Sequence, residues 1–158
     1  MEPADPPLLA LKQPINQQSL RYWQMLRGAR RMPSWRDIDP VAIPDCLPHV
    51  IVLDVAHNPR DFRYRMIGTT VEYHMRGNQT GQWFRNNADK APGSTIWSTV
   101  NTVVDTGLPV TSEIPYVGPH KDFTITEDVI MPLSDDDDLV NKLLVTVVYS
   151  PKADAASK

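Results

Sequence analysis

The strand-like segments of this chain fall into two groups, and the links inside each group are too short for anything but antiparallel pairing. Residues 49–56 and 62–67 are separated by His57-Asn58-Pro59-Arg60-Asp61, a cluster of turn formers. Residues 110–117, 123–132 and 142–149 are separated by Gly118-Pro119-His120-Lys121 and by a loop that opens with Asp135 to Asp138. A parallel crossover needs roughly a dozen residues or more. The first group is therefore a hairpin and the second a meander. Between them the spacing predicts a short helix from Gly68-Thr69-Thr70 to about Arg76, a polar loop over 77–93 and a helix over 94–106. Ile96, Trp97, Val100, Val103 and Val104 form the apolar stripe of that last helix, and Gly107 suits its C-terminal stop. Helices placed between two antiparallel groups have to cover a face of one sheet, so the fold class is α+β.

The ends are simpler. Residues 1–15 are Pro-rich and read as a loose arm, and 151–158 as a small polar tail, leaving one domain over 16–150. Asn16 is a good N-cap for a helix over 16–31, where Leu20, Trp23 and Leu26 share a face opposite Arg21, Gln24, Arg30 and Arg31. That apolar face is expected to pack on the sheet or on a second copy, which makes a homodimer through 16–31 an expectation. Residues 37–48 hold three prolines and predict one or two short helical turns. Trp83 and Phe84 are too apolar for free solvent, so the 77–93 loop has to pack down.

The chemistry is mostly negative. There is no G-x-S-x-G elbow, no phosphate loop and no clustered His or Cys spacing, which argues against an enzyme and against a metal. Cys46 has only Asp45 beside it between Pro44 and Pro48, a setting for an inert thiol. Asp135 to Asp138 lacks the alternating ligands of a calcium loop and reads as a solvated turn. Arg21, Arg27, Arg30, Arg31 and Arg36 make a basic stretch, but the net charge is -3, which argues against nucleic acid. No signal peptide and no membrane span are evident, so the cytoplasm is the expected location.

The element order resembles that of PAS domains. Leu20 to Ser34, Asp37-Ile-Asp-Pro40, Ile43-Pro44 and Leu47-Pro48 resemble the opening of a bacterial family of short PAS-like proteins of uncharacterised function. Phe62-Arg-Tyr-Arg-Met-Ile-Gly-Thr69 is similar to that family's second strand, and Thr80-Gly81 and Met131-Pro132-Leu133 also fit. The resemblance covers about residues 19–149. It implies a PAS-like five-stranded antiparallel sheet with helices on one face plus an N-terminal helix. It also implies a sensory or regulatory role in signal transduction, exercised on a small molecule, a signalling protein or both. Haem-binding PAS domains commonly carry a His on the long helix, which 94–106 lacks. Flavin photoreceptors carry a Cys after the second strand, where this chain has Thr69-Thr70-Val71-Glu72-Tyr73. Haem and flavin are thereby disfavoured and the cofactor is left unknown.

A ligand would sit between sheet and helices. The candidate lining is Trp97 from the long helix, Trp83 from the loop, Tyr64 and Met66 from the second strand, and Tyr116 and Met131 from later strands. Arg65 is the alternate candidate: should its face point inward, a buried cation would need Glu113, Glu127 or an anionic ligand as partner. The same aromatic and Met residues could equally form a filled core in a pure protein–protein interaction module. A small-pocket enzyme would need Asp54, His74, Arg65 and Glu127 to converge.

Overall fold

The computed structural model describes residues 11–151. Three α-helices, α1 (Pro14–Arg27), α2 (Thr69–Tyr73) and α3 (Thr95–Thr106), accompany strands β1 (Val50–Ala56), β2 (Asp61–Ile67), β3 (Val110–Pro115), β4 (Phe123–Leu133) and β5 (Lys142–Pro151). All pairings are antiparallel and the five strands lie in the order β2-β1-β5-β4-β3. The hairpin thus docks on the last strand of the meander, giving the expected five-stranded α+β sheet. The first ten residues and the tail beyond Pro151 lie outside the described residues.

Both faces of the sheet are covered. On one lies α1, with Ser19 Oγ 2.7 Å from Thr146 Oγ1 of β5 and the Trp23 indole N–H donating to the Pro132 carbonyl of β4 at 2.8 Å. On the other, α3 and the loop before it bury Phe84 against Tyr64 and set Trp97 edge-on to Phe62, with ring centroids 5.3 and 5.1 Å apart. The central strands therefore have no polar face. Leu143, Leu144, Val145, Thr146 and Val147 are all buried in succession.

Helix α1 begins at Pro14, two residues before the expected N-cap. Proline suits the first helical turn, where its missing N–H costs no bond. Asn16 is buried inside the helix, where its amide donates to the carboxylate and the carbonyl of Glu127. The helix stops at Gly28, whose φ of 58° lies in the region glycine tolerates, so it falls short of residue 31. The stripe of Leu20 and Trp23 packs on this chain's own sheet, and both side chains are fully buried.

The acidic run is more than a solvated turn. Asp137 Oδ1 accepts the backbone N–H groups of Arg31 and Met32 at 2.8 and 2.9 Å, and Asp135 accepts the Ser34 hydroxyl. Asp136 accepts N–H groups from Asp138 and Leu139 within its own loop. These carboxylates hold the segment that follows α1. Two of the basic side chains there are paired, Arg30 with Asp37 at 2.9 Å and Arg31 with Asp138 at 3.5 Å.

Three 3₁₀ turns (Trp35–Asp37, Pro40–Ala42, Leu47–His49) lead into β1. The last of them touches Gly68, the residue before α2. A methyl group there would sit 2.5 Å from the carbonyl oxygens of both Leu47 and Pro48. Backbone on two sides cannot move aside as a side chain can. Gly68→Ala is expected to cost about 1–3 kcal/mol, the usual scale of overpacking. Urea denaturation checks this: the midpoint should fall with an unchanged slope.

Candidate functional site

A cavity of about 460 Å³ opens between the sheet and the α2–α3 layer. Its floor is Tyr64 of β2, Thr126 of β4 and Tyr149 of β5, and its walls include His74, Tyr116, Ile96, Gln79 and Lys90. The local chain explains each placement. Ser94 caps α3 by accepting the Trp97 N–H at 3.2 Å, which sets Ile96 over the opening. The loop pairs with the free edge of β2 through Gly81 N–H to Tyr64 O (2.7 Å) and Tyr64 N–H to Gln82 O (3.1 Å). It then folds back so that the Lys90 ammonium lies 5.5 Å from the centroid of the Tyr64 ring, donating to Gln79 Oε1 at 2.9 Å.

One end of the cavity is an aromatic cluster. His74, just past α2, stacks on Tyr149 with ring centroids 3.8 Å apart, and its Nδ1 lies 2.8 Å from the Tyr116 hydroxyl. That hydroxyl also accepts the His120 N–H at 3.3 Å. The His120 ring stacks on Tyr73 at 4.1 Å. Burial, followed by the nearby His120 and His49, pulls the His74 pKa down and favours the neutral ring. Burial also pushes the Tyr64 and Tyr149 hydroxyls up, so both remain protonated. Lys90 is shifted down by burial, against the raising effect of Asp89.

Asp128 lies on the same face of β4 as Thr126 and accepts the Ser112 hydroxyl at 2.6 Å. Burial lifts its pKa to about 6, with Ser112 opposing and Glu127 adding to the rise. A folded pKa above the unfolded value of 3.8 means that this group favours the fold fully below pH 3.8. That contribution is lost as pH rises through about 6. Asp128→Asn is therefore expected to gain stability over the wild type at pH 8, by about 1–3 kcal/mol, and much less at pH 4. Denaturation of both proteins across that range reads the difference, from which the His74 contribution cancels.

The cavity contains Tyr64 and Tyr116 of the expected lining. Trp97 packs beneath it on Phe62 with the Arg85 guanidinium 4.9 Å from its ring, and its neighbour Ile96 takes the lining position. Met131 is fully buried on the opposite face, in register with Leu144 under α1. Met66 is also on that opposite face, because the β1–β2 register shifts between Val52 and Leu53 and leaves Arg65 as the extra residue of a bulge. Trp83 lies outside, bridged to Arg63, whose guanidinium is 5.1 Å from its ring. Arg65 points to solvent and reaches Asp54 at 3.6 Å. Its suggested partners are engaged elsewhere: Glu113 pairs with Lys12 at 3.2 Å, and Glu127 accepts backbone N–H groups of Lys12 and Gln13. Asp54, Arg65 and Glu127 do not line the cavity with His74, so the four residues needed for a small-pocket enzyme do not converge. Met66 instead borders a second, apolar groove of about 430 Å³ on the α1 face, with Trp35, Ile38, Ile43, Leu47 and Leu144.

The cysteine is buried, and its thiol pKa is raised to about 11 by burial and then by Asp45. Among the described residues no three His, Cys, Asp or Glu side chains are grouped to hold a metal, and no helix is long and apolar enough to cross a membrane.

The PAS domain family model matches residues 11–147, which takes in the three α-helices, strands β1 to β4 and the first part of β5. The chain belongs to the PAS domain family. A crystal structure of a sensory box sensor histidine kinase from Vibrio cholerae is similar to this PAS domain at 11% identity and a TM-score of 0.46. The match covers 70% of this chain and 90% of that one. No curated protein matches the chain. Of the residues lining the cavity, Gln79, Lys90, Thr126 and Tyr149 were missed in the sequence, and His74 was weighed only as part of a small-pocket enzyme. The only legible signal was the parity of Tyr149 with Val147, and strand β5 hides it by being apolar on both faces.

Proposed function

We propose that this PAS domain is a sensory domain of signal transduction that takes a small molecule into the cavity between sheet and α2–α3 and passes the change to a signalling partner. The observation that carries the reading is the cavity itself. It is of ligand size, and part of its polar lining is not spent on the fold: among the described residues nothing hydrogen-bonds the Tyr64, Tyr149 or Thr126 hydroxyls. A filled core leaves neither the space nor the free hydroxyls. The wall opposite the sheet includes, beside the start of α3, the end of a short helix and a loop, elements able to respond to an occupant.

Native mass spectrometry of the protein purified from cells, with and without Ile96→Trp, tests the reading. A bound species should accompany the wild type and be lost when the tryptophan fills the opening. A wild type free of any bound species, in a crystal structure whose core is solid, would leave a pure interaction module in its place.

A further inference from the structure

The charges and donors around the cavity are unequal. Arg76 and Asp89 are the exposed charges of its lining and Lys90 is the half-buried one, while Asp128, bonded to Ser112, acts electrostatically on Tyr149 from β4. The Lys90 ammonium uses one of its three protons on Gln79, and no carboxylate among the described residues lies within ion-pair distance of it. Tyr64 is only 5% exposed, yet its hydroxyl has no protein partner. The Tyr149 hydroxyl, near enough to act electrostatically on Tyr64, has none either. Both phenols keep their protons and can donate. Around these donors the walls are apolar: Ile96, Ile114, Met75 and the Tyr116 ring.

We propose that the cavity takes a small organic monocarboxylate on an apolar ring or short chain, with Lys90 as its counter-charge and the Tyr64 and Tyr149 hydroxyls as its neutral donors. This rests on the reading of the cavity as the sensing site. A carboxylate offers several acceptor sites and no donor, which matches a lining rich in donors. Burial alone penalises the Lys90 charge, and an incoming anion relieves that penalty. The ring of Tyr64 beneath the ammonium holds the cation in place while the ligand arrives.

Matched pairs separate charge from shape. Phenylacetate with phenylacetamide, and hexanoate with hexanamide, are titrated into the full chain at pH 7 and followed by the backbone amide signals of Tyr64, Lys90 and Tyr149. The acids should move these signals and bind roughly tenfold to a hundredfold tighter than the amides. Lys90→Gln should abolish that preference, with the dispersion of its amide spectrum showing that the variant is folded. Tyr64→Phe keeps the ring and should weaken the acids more than the amides, whose single carbonyl is the poorer acceptor. Equal binding of acid and amide, or a preference that survives Lys90→Gln, overturns the anionic ligand but leaves a sensing cavity standing. Failure of all four compounds to move the cavity signals also overturns it. The sensing reading falls separately, on the native mass spectrum.

Discussion

Replacing Trp23 with alanine is expected to remove about 3–5 kcal/mol of stability, the range for deleting a large buried aromatic. Against a total of roughly 5–15 kcal/mol for a domain of this kind, that is enough to leave a sizeable unfolded fraction. Trp23 is fully buried beneath α1 and joins helix to sheet in two ways. Its ring fills the space over β4, and its N–H meets the Pro132 carbonyl at 2.8 Å. That carbonyl is available for a physical reason. Strand β3 pairs with β4 only as far as Ile130, so beyond that point β4 has no neighbour on that side. A proline is tolerated at such an edge, and its carbonyl needs a partner from elsewhere. Trp23→Phe should therefore keep most of the packing and lose about 1–2 kcal/mol for the orphaned carbonyl. Chemical denaturation of the three proteins checks the ranking. A Trp23→Ala loss under 1 kcal/mol would mean that α1 does not depend on this anchor.

Glu127→Ala is the second large effect, expected at roughly 2–4 kcal/mol. This carboxylate is 3% exposed and is held by groups at the start of α1: the N–H of Lys12 at 2.8 Å, the N–H of Gln13 at 3.2 Å and the Asn16 amide at 2.9 Å. Helix starts leave N–H groups without partners, and a negative charge there also meets the favourable end of the helix dipole. Removing the side chain strands the Lys12 and Gln13 N–H groups and leaves the Asn16 amide only the Glu127 carbonyl. Glu127→Gln should cost nearly as much, because its NH₂ group would face donors. Hydrogen exchange localises the effect. Protection should collapse in α1 before it does in β4 and β5, and uniform loss across the chain would contradict a local anchor.

Much of this architecture was legible because turns are local. The hairpin, the meander and the helices between them follow from short runs of Gly, Pro, Asn and Asp, whose preferences need no knowledge of the rest of the chain. Which way a side chain faces is another matter. Parity is readable only where one face is wet, and β4 and β5 are covered on both. Met131 could be assigned to either side, and it lies under α1. Met66 was misplaced by a bulge at Arg65 that no composition announces. Asp135 to Asp138 looked like a solvated turn because the backbone donors it serves are a hundred residues away in sequence. Lys90 was hidden for the same reason: a lysine in a polar loop becomes part of a cavity only once the loop pairs with the β2 edge.

Alternation along β4 has a mechanical consequence. Thr126 borders the cavity, and Glu127, the next residue, holds the first turn of α1 on the far side. Adjacent Cα atoms are tied about 3.8 Å apart by a planar peptide that does not stretch. The interior space and the N-terminal helix thus meet on neighbouring residues of one strand, so a tilt of β4 at this point would be felt on both sides of the sheet.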